Sequence, residues 1–422
     1  MTEYNRLSAG ERRSKAAEVE ARLEGFREEK LDLDMTRGKP GSDQLELSNG
    51  LLAAVDAKGW KTPSGVDSRN YGGLDGIEES RKLFGDYLGI AASEVIVGGN
   101  SSLALMHDTI AQLMTHGSST LAKPWWGSNP AFLCPVPGYD RHFTILERYG
   151  IRMVSVATRE SGPDMDEVER LAAADPTIRG LWCVPRYSNP TGYTFSDETV
   201  ERLACMKTAA PDFRILWDDA YAVHHLGSGP AKLASILAAC RKAGNPERPL
   251  IFGSTSKISF PGGGVAFSGG SEKSCAWARE RLFVQTIGPD KVNILRHVLY
   301  FKDIAGILAH MEKHARILQP KFAAVDRILT RELSGTGIAT WTRPQGGYFT
   351  SLDTSDGLAS TAVKLAAGLG VKVTPAGSTF PHKKDPRDRN IRIAPTFPGL
   401  AALEKATEVL AVCIQRAALA GS

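Results

Sequence analysis

The sequence predicts an α/β protein in which a mostly parallel sheet is covered by helices, joined to a smaller α+β domain. Short apolar runs that read as buried strands end near residues 97, 184, 217 and 252, with helical stretches between them, the alternation that builds parallel sheets. From 291 to 329 the pattern turns long and helical, as a connector between domains would be, and 340–349 and 371–375 then read as strands again. At 422 residues the chain is long enough to bury two cores.

Composition excludes several classes. Apolar residues make up 42% and the chain carries 51 basic against 47 acidic side chains, so it is neither disordered nor charged enough to seek nucleic acid. The basic run at 382–389 is interrupted by Asp385 and Asp388 and reads as a solvated loop. No window is long and apolar enough to suggest a membrane span, and the polar opening at 1–4 is unlike a secretory signal. Cys134, Cys183, Cys205, Cys240, Cys275 and Cys413 are scattered, without metal spacing, and read as buried thiols of a reducing cytoplasm. His310 and His314, or His224 and His225, lack a visible third ligand, so no metal is expected.

In chain order, 11–30 is rich in Arg, Glu, Ala and Leu and reads as an exposed or edge helix; 31–35 alternates like a short strand. Thr36-Arg37-Gly38-Lys39-Pro40 is a turn. Tyr71 lies in a glycine-rich stretch before a helix over 78–88. The strand at 94–97 runs through Gly98 and Gly99 into a helix at Asn100-Ser101-Ser102. Free N–H groups at a helix start make an anion site there, although Ser and Asn are also ordinary caps. Tyr139 follows Pro137-Gly138, either as a packed turn residue or as a stacking platform. A strand at 180–185 leads to Ser188-Asn189-Pro190-Thr191-Gly192, and one at 214–217 ends in Asp218, Asp219 and Tyr221. The strand at 249–252 opens on Gly253-Ser254-Thr255-Ser256-Lys257, ahead of Gly262-Gly263-Gly264, which puts Lys257 at a sheet edge where α/β proteins keep ligands. Arg392, in Asn390-Ile391-Arg392-Ile393-Ala394, reads as a strand-edge ion-pair residue or as a carboxylate fork.

Asn189-Pro190-Thr191-Gly192, Asp218-x-x-Tyr221, the Lys257 loop and Arg392, in this order, resemble the pyridoxal phosphate (PLP) aminotransferases of fold type I, class I, from about Leu33 to the C-terminus. The resemblance implies a large domain at 56–310 with a seven-stranded, mostly parallel sheet, and a small domain drawn from 1–55 and 311–422. It implies PLP on Lys257, with Asn100, Ser101, Ser102, Ser254 and Ser256 near its phosphate. Tyr71 would reach the phosphate from a second subunit, so a homodimer with shared sites is expected. By the same resemblance Tyr139 stacks on the ring, Asp218 keeps the ring nitrogen protonated, and Tyr221 and Asn189 donate to the phenolic oxygen. Arg392 would hold the substrate α-carboxylate, with Asn189, Gly38 and Lys39 nearby.

One departure stands out: where the class places a phosphate-binding arginine after the lysine, this chain has Gly264 and Val265. Together with Thr-Arg-Gly-Lys-Pro at 36–40 and Pro-Gly-Tyr-Asp-Arg-His at 137–142, it resembles the divergent bacterial aspartate aminotransferases called type Ic. That implies ping-pong transfer from L-aspartate to 2-oxoglutarate, with Arg37, Lys39, Arg141 or Lys291 on the side-chain carboxylate. Aromatic amino acids, kynurenine or 2-aminoadipate are alternative donors. A PLP-dependent lyase and a PLP-binding transcription regulator are the remoter readings, the latter needing a basic N-terminal domain before residue 30.

Overall fold

The computed structural model describes residues 3–420 except Ser228, with Asn5 described by its backbone only. Met1 and Thr2, half of the opening segment at 1–4, lie outside the described residues.

The large sheet has eight strands in the order Val95–Val97, Ala266–Gly269, Pro249–Ser254, Arg214–Asp218, Ile178–Cys183, Ala131–Val136, Arg152–Arg159 and Gly162–Pro163. The five strands from Pro249–Ser254 to Arg152–Arg159 are mutually parallel, while Ala266–Gly269 pairs antiparallel with both its neighbours. The expected seven strands thus become eight, because the chain turns back after Arg159 and adds the two-residue strand Gly162–Pro163 at the edge. Near-continuous apolar runs such as Ile215, Leu216 and Trp217 are buried on both faces, as a helix-covered parallel sheet requires.

Parallel pairing aligns the strand ends. Cys183 pairs with Trp217 and Asp218 with Phe252, so the segments leaving these strands emerge on one edge: Asn189 after Cys183, Asp218 itself, and Lys257 after Ser254. Tyr139 follows Val136 on that edge. Val95–Val97 points the same way, being separated from Pro249–Ser254 by one antiparallel strand, and delivers the start of the helix Ser102–His116 there.

A separate core combines the two ends of the chain. Val19, Leu23, Phe26 and Met35 pack with Leu329, Val373, Ile391 and Leu410. The strand Leu33–Met35 pairs parallel with Val371–Val373, and the sheet Ala339–Trp341, Thr350–Thr354, Asn390–Ile393 presents Arg392 from this side. The helix expected at 11–30 runs Ala9–Glu28, started by a reciprocal cap in which Glu11 N–H donates to Ser8 Oγ and Ser8 N–H to Glu11 Oε2. It is not merely an exposed helix, since Val19, Leu23 and Phe26 bury against the C-terminal helices.

Two further expectations are corrected. Residues 340–349 are not one strand: pairing stops at Trp341 and resumes at Thr350, with Gly346 and Gly347 lying against Tyr187 in between. Cys205 is exposed, whereas the other five thiols are buried. No group of three potential metal-ligating side chains occurs among the described residues. His310 and His314 instead bond to each other at 3.1 Å, and to Ser48 and Gln44. Among the described residues, no helix is long and apolar enough to cross a membrane.

Candidate active site

The strand ends of the large sheet and the Arg392 strand face each other across a cleft of about 670 Å³. Lys257, Asp218, Tyr221, Asn189, Tyr139, Ser102, Gly38 and Arg392 all line it.

Lys257 Nζ lies 4.9 Å from the Tyr221 ring centroid and 6.0 Å from that of Tyr348, whose hydroxyl donates to the Lys257 carbonyl at 3.4 Å. Burial pushes the ammonium pKa down, while the Asp218 carboxylate pulls it up; burial dominates. The lysine is therefore biased toward the neutral amine, the form that can act as nucleophile and base. Burial also raises the Tyr221 phenol well above its ordinary pKa, keeping it a donor.

Asp218 accepts a hydrogen bond from His142 Nε2 at 3.0 Å on Oδ2, while its buried Oδ1 has no partner among the described residues. The His142 ring is fixed by stacking on Trp182 at 4.1 Å and 7°. A buried oxygen of this cleft-lining residue thus has acceptor capacity to spare, the arrangement that suits a protonated ring nitrogen. Asp219, the rival acid, does not line the cleft; burial raises its pKa.

Arg392 Nη1 donates to Asp140 Oδ1 at 3.0 Å and to Asn189 Oδ1 at 3.3 Å; Nη2 donates to Thr374 Oγ1 at 3.4 Å. Phe349 lies under the guanidinium at 4.9 Å. The strand-edge ion pair foreseen as one reading of Arg392 is thus present, but inside the cleft. A Cβ on Gly38 would fall 2.3 Å from Phe349 Cζ, so only glycine lets this turn approach the ring.

Other expected residues lie elsewhere. Ser101 caps the helix Ser102–His116, its Oγ accepting from Ala104 N–H at 3.4 Å. Asn100 lines a second cavity of about 370 Å³ with Gly262, Gly263, Gly264, Asn293 and Arg296. Ser254 Oγ donates to Ser256 Oγ at 3.1 Å beside that loop. Lys39 Nζ lies 3.8 Å above the Phe397 ring and is not part of the cleft lining, and Lys291 Nζ donates to the Gly72 carbonyl at 2.6 Å. Of the four cations considered for a side-chain carboxylate, Arg37 and Arg141 line the cleft. Tyr71 is 83% exposed and outside it.

Sequence reasoning assigned no role to His142, Asp140, Thr374, Tyr348 or Phe349. Asp140 and His142 sat inside the quoted Tyr139 stretch, but nothing local marks their partners.

Pyridoxal phosphate fits this set: an amine biased to neutrality, an orphaned buried carboxylate oxygen, phenol and amide donors, and a helix start opening on the cleft at Ser102. The family model for aspartate amino-transferase matches residues 7–421. The chain is 50% identical over 392 residues to a Mycolicibacterium smegmatis protein described as an aminotransferase, covering 92% of this chain and 91% of that one. It is 44% identical over 402 residues to an aspartate aminotransferase of Corynebacterium glutamicum, covering 95% and 93%. A crystal structure of an aspartate transaminase from C. glutamicum superposes with a TM-score of 0.97 at 42% identity, covering 99% of each chain. The chain belongs to the aspartate aminotransferase family.

Proposed function

We propose that this protein is a PLP-dependent aminotransferase that takes the amino group of L-aspartate and passes it to 2-oxoglutarate. The observation that carries the reading is the convergence of Lys257, Asp218, Tyr221, Asn189 and Arg392 on one cleft. Pyridoxal phosphate, when bound, supplies the electron sink and carries the amino group between half-reactions. The protein's part is positional and acid–base. Arg392, backed by Asn189 and Thr374, orients the α-carboxylate. Lys257 Nζ, as a neutral amine, would take the α-proton and deliver it to the cofactor's former aldehyde carbon, and would run the same transfer backwards in the second half-reaction. Asp218 Oδ1 would stabilise positive charge on the ring nitrogen, with His142 holding the other oxygen. Tyr139 would cover the ring, and Ser102 N–H belongs to the positive end of a helix suited to phosphate.

Arg37 and Arg141 favour a dicarboxylate over an aromatic donor, because they line the cleft and have no carboxylate partner among the described residues. We read the active form as a homodimer in the cytoplasm, with the division at 56–310 retained for the large domain. Exposed Tyr71, Phe283, Val284 and Ile287 (83%, 75%, 87% and 63%) give a second copy an apolar face to cover. The six unpaired cysteines suit a reducing compartment.

The test is the absorption spectrum of the purified protein with L-aspartate alone. Conversion of the bound cofactor from its aldehyde to its amine form, reversed by 2-oxoglutarate, is expected. A lysine-bound cofactor that aspartate leaves unchanged would overturn the donor. Absence of a lysine-bound cofactor in folded, PLP-supplied protein would overturn the role of Lys257.

A further inference from the structure

We propose that Asp140 is an internal competitor for the substrate carboxylate, holding Arg392 between turnovers and yielding it whenever an amino or keto acid binds. The proposal rests on the reading of Arg392 given above. Asp140 is the first residue of the helix Asp140–Arg148, directly after Tyr139, and belongs to the large-sheet side of the cleft; Arg392 belongs to the strand Asn390–Ile393 opposite. Both residues line the cleft, with side chains 32% and 8% exposed, so their pair spans it.

The outer edge of the guanidinium is engaged. Nη1 serves Asp140 and Asn189, Nη2 serves Thr374, and Nε is buried without a partner among the described residues. A carboxylate that docks two-pronged needs two donors on one edge of the fork. Nε is buried, so a substrate meets the Nη1–Nη2 edge, where a second carboxylate beside Asp140 would face a like charge unless Asp140 leaves. The advantage lies in turnover. A ping-pong cycle binds one amino acid and one keto acid and releases one of each through one arginine, and ground-state binding stronger than needed slows release without lowering the chemical barrier.

The test uses holoenzyme and succinate, a dicarboxylate with no amine to react, with affinity read by calorimetry and dissociation by stopped flow. Asp140→Asn keeps size and removes charge. It is expected to bind succinate about tenfold more tightly, with slower release, the scale of one charge-assisted hydrogen bond. Arg392→Gln is expected to bind it at least about tenfold more weakly. In the double variant the gain from Asp140→Asn should vanish, because there is nothing left to compete for. If Arg392→Gln weakens binding but Asp140→Asn leaves it unchanged or weaker, Asp140 merely props Arg392 and the proposal falls while the Arg392 reading stands. A gain of equal size in the Arg392→Gln background would also overturn it, since that marks a general charge effect. An Arg392→Gln protein that binds succinate like wild type would overturn the underlying reading itself.

Discussion

Replacing Asp218 by Asn should loosen pyridoxal phosphate far more than replacing its neighbour Asp219. Asp218 is 3% exposed in its side chain; His142 satisfies Oδ2, and Oδ1 has no partner among the described residues. A bound ring N–H⁺ would supply that partner. Hydrogen bonds to charged groups contribute about 1.5–3 kcal/mol, so loss of the charge should raise the dissociation constant of the cofactor about 10- to 150-fold. Asp219 is equally buried but lies outside the cleft, its backbone N–H donating to the Phe252 carbonyl at 2.9 Å. Asp219→Asn should leave the cofactor constant within about twofold, inside the usual error of additivity for groups without shared partners. The assay is equilibrium titration of cofactor-free protein with PLP, followed by tryptophan fluorescence and checked by dialysis. An unchanged constant for Asp218→Asn, or an equal loss for Asp219→Asn, would refute the assignment of the acid.

Asp219→Asn should also stabilise the protein at neutral pH. Burial raises the Asp219 carboxyl above its ordinary 3.8, so the folded state binds its proton more tightly than the unfolded chain and stability falls as pH rises through that window. The stabilisation, read as a shift in denaturation midpoint, should therefore shrink as pH drops below 3.8. His297 has the opposite sign. Burial lowers it from 6.5 to about 4, and the hydroxyls of Ser259 and Thr255, on the Lys257 loop, sit 2.8 and 3.1 Å from its Nε2. Its neutral form is the stable one, so stability should be lost as pH falls from 6.5 toward 4, and chemical denaturation across that range should show it. Arg392→Lys should lower kcat/KM for aspartate at least about 30-fold, because an ammonium cannot reproduce the fork; steady-state kinetics would refute this with a loss under threefold. Gly38→Ala must displace the Phe349 ring beneath Arg392, and steady-state kinetics should show a raised KM for both amino and keto acids.

Where a proposed site residue stands in a contiguous stretch at a strand end, its place in the fold was readable from the sequence. Lys257, Asp218, Tyr221 and Asn189 each follow an apolar run, and parallel pairing alone carries such residues to one edge. The contacts between distant residues were not readable: 76 positions separate His142 from Asp218 and 252 separate Asp140 from Arg392, and no local pattern links residues so far apart. The misread strand at 340–349 has a related cause. Its Trp, Thr, Tyr and Phe favour extended pairing, but Gly346 and Gly347 are drawn against the Tyr187 ring and backbone, a contact that only the folded chain defines.

Gly264 changes its meaning between sequence and fold. From the sequence, it is a missing cation. In the fold, a Cβ there would stand 3.1 Å from the carbonyl oxygens of both Asn100 and Phe260 and 3.4 Å from Ser256 Oγ, while the Val265 side chain is buried in the core. The two carbonyl oxygens must give by a few tenths of an ångström to admit any side chain. An arginine at 264 is therefore expected not to restore a phosphate contact: Gly264→Arg should lower the melting temperature, because overpacking against these carbonyls costs about 1–3 kcal/mol, and should not tighten PLP. Tighter PLP binding by Gly264→Arg with an unchanged melting temperature would show that the loop yields, and that the arginine was lost by substitution alone rather than excluded by the packing around it.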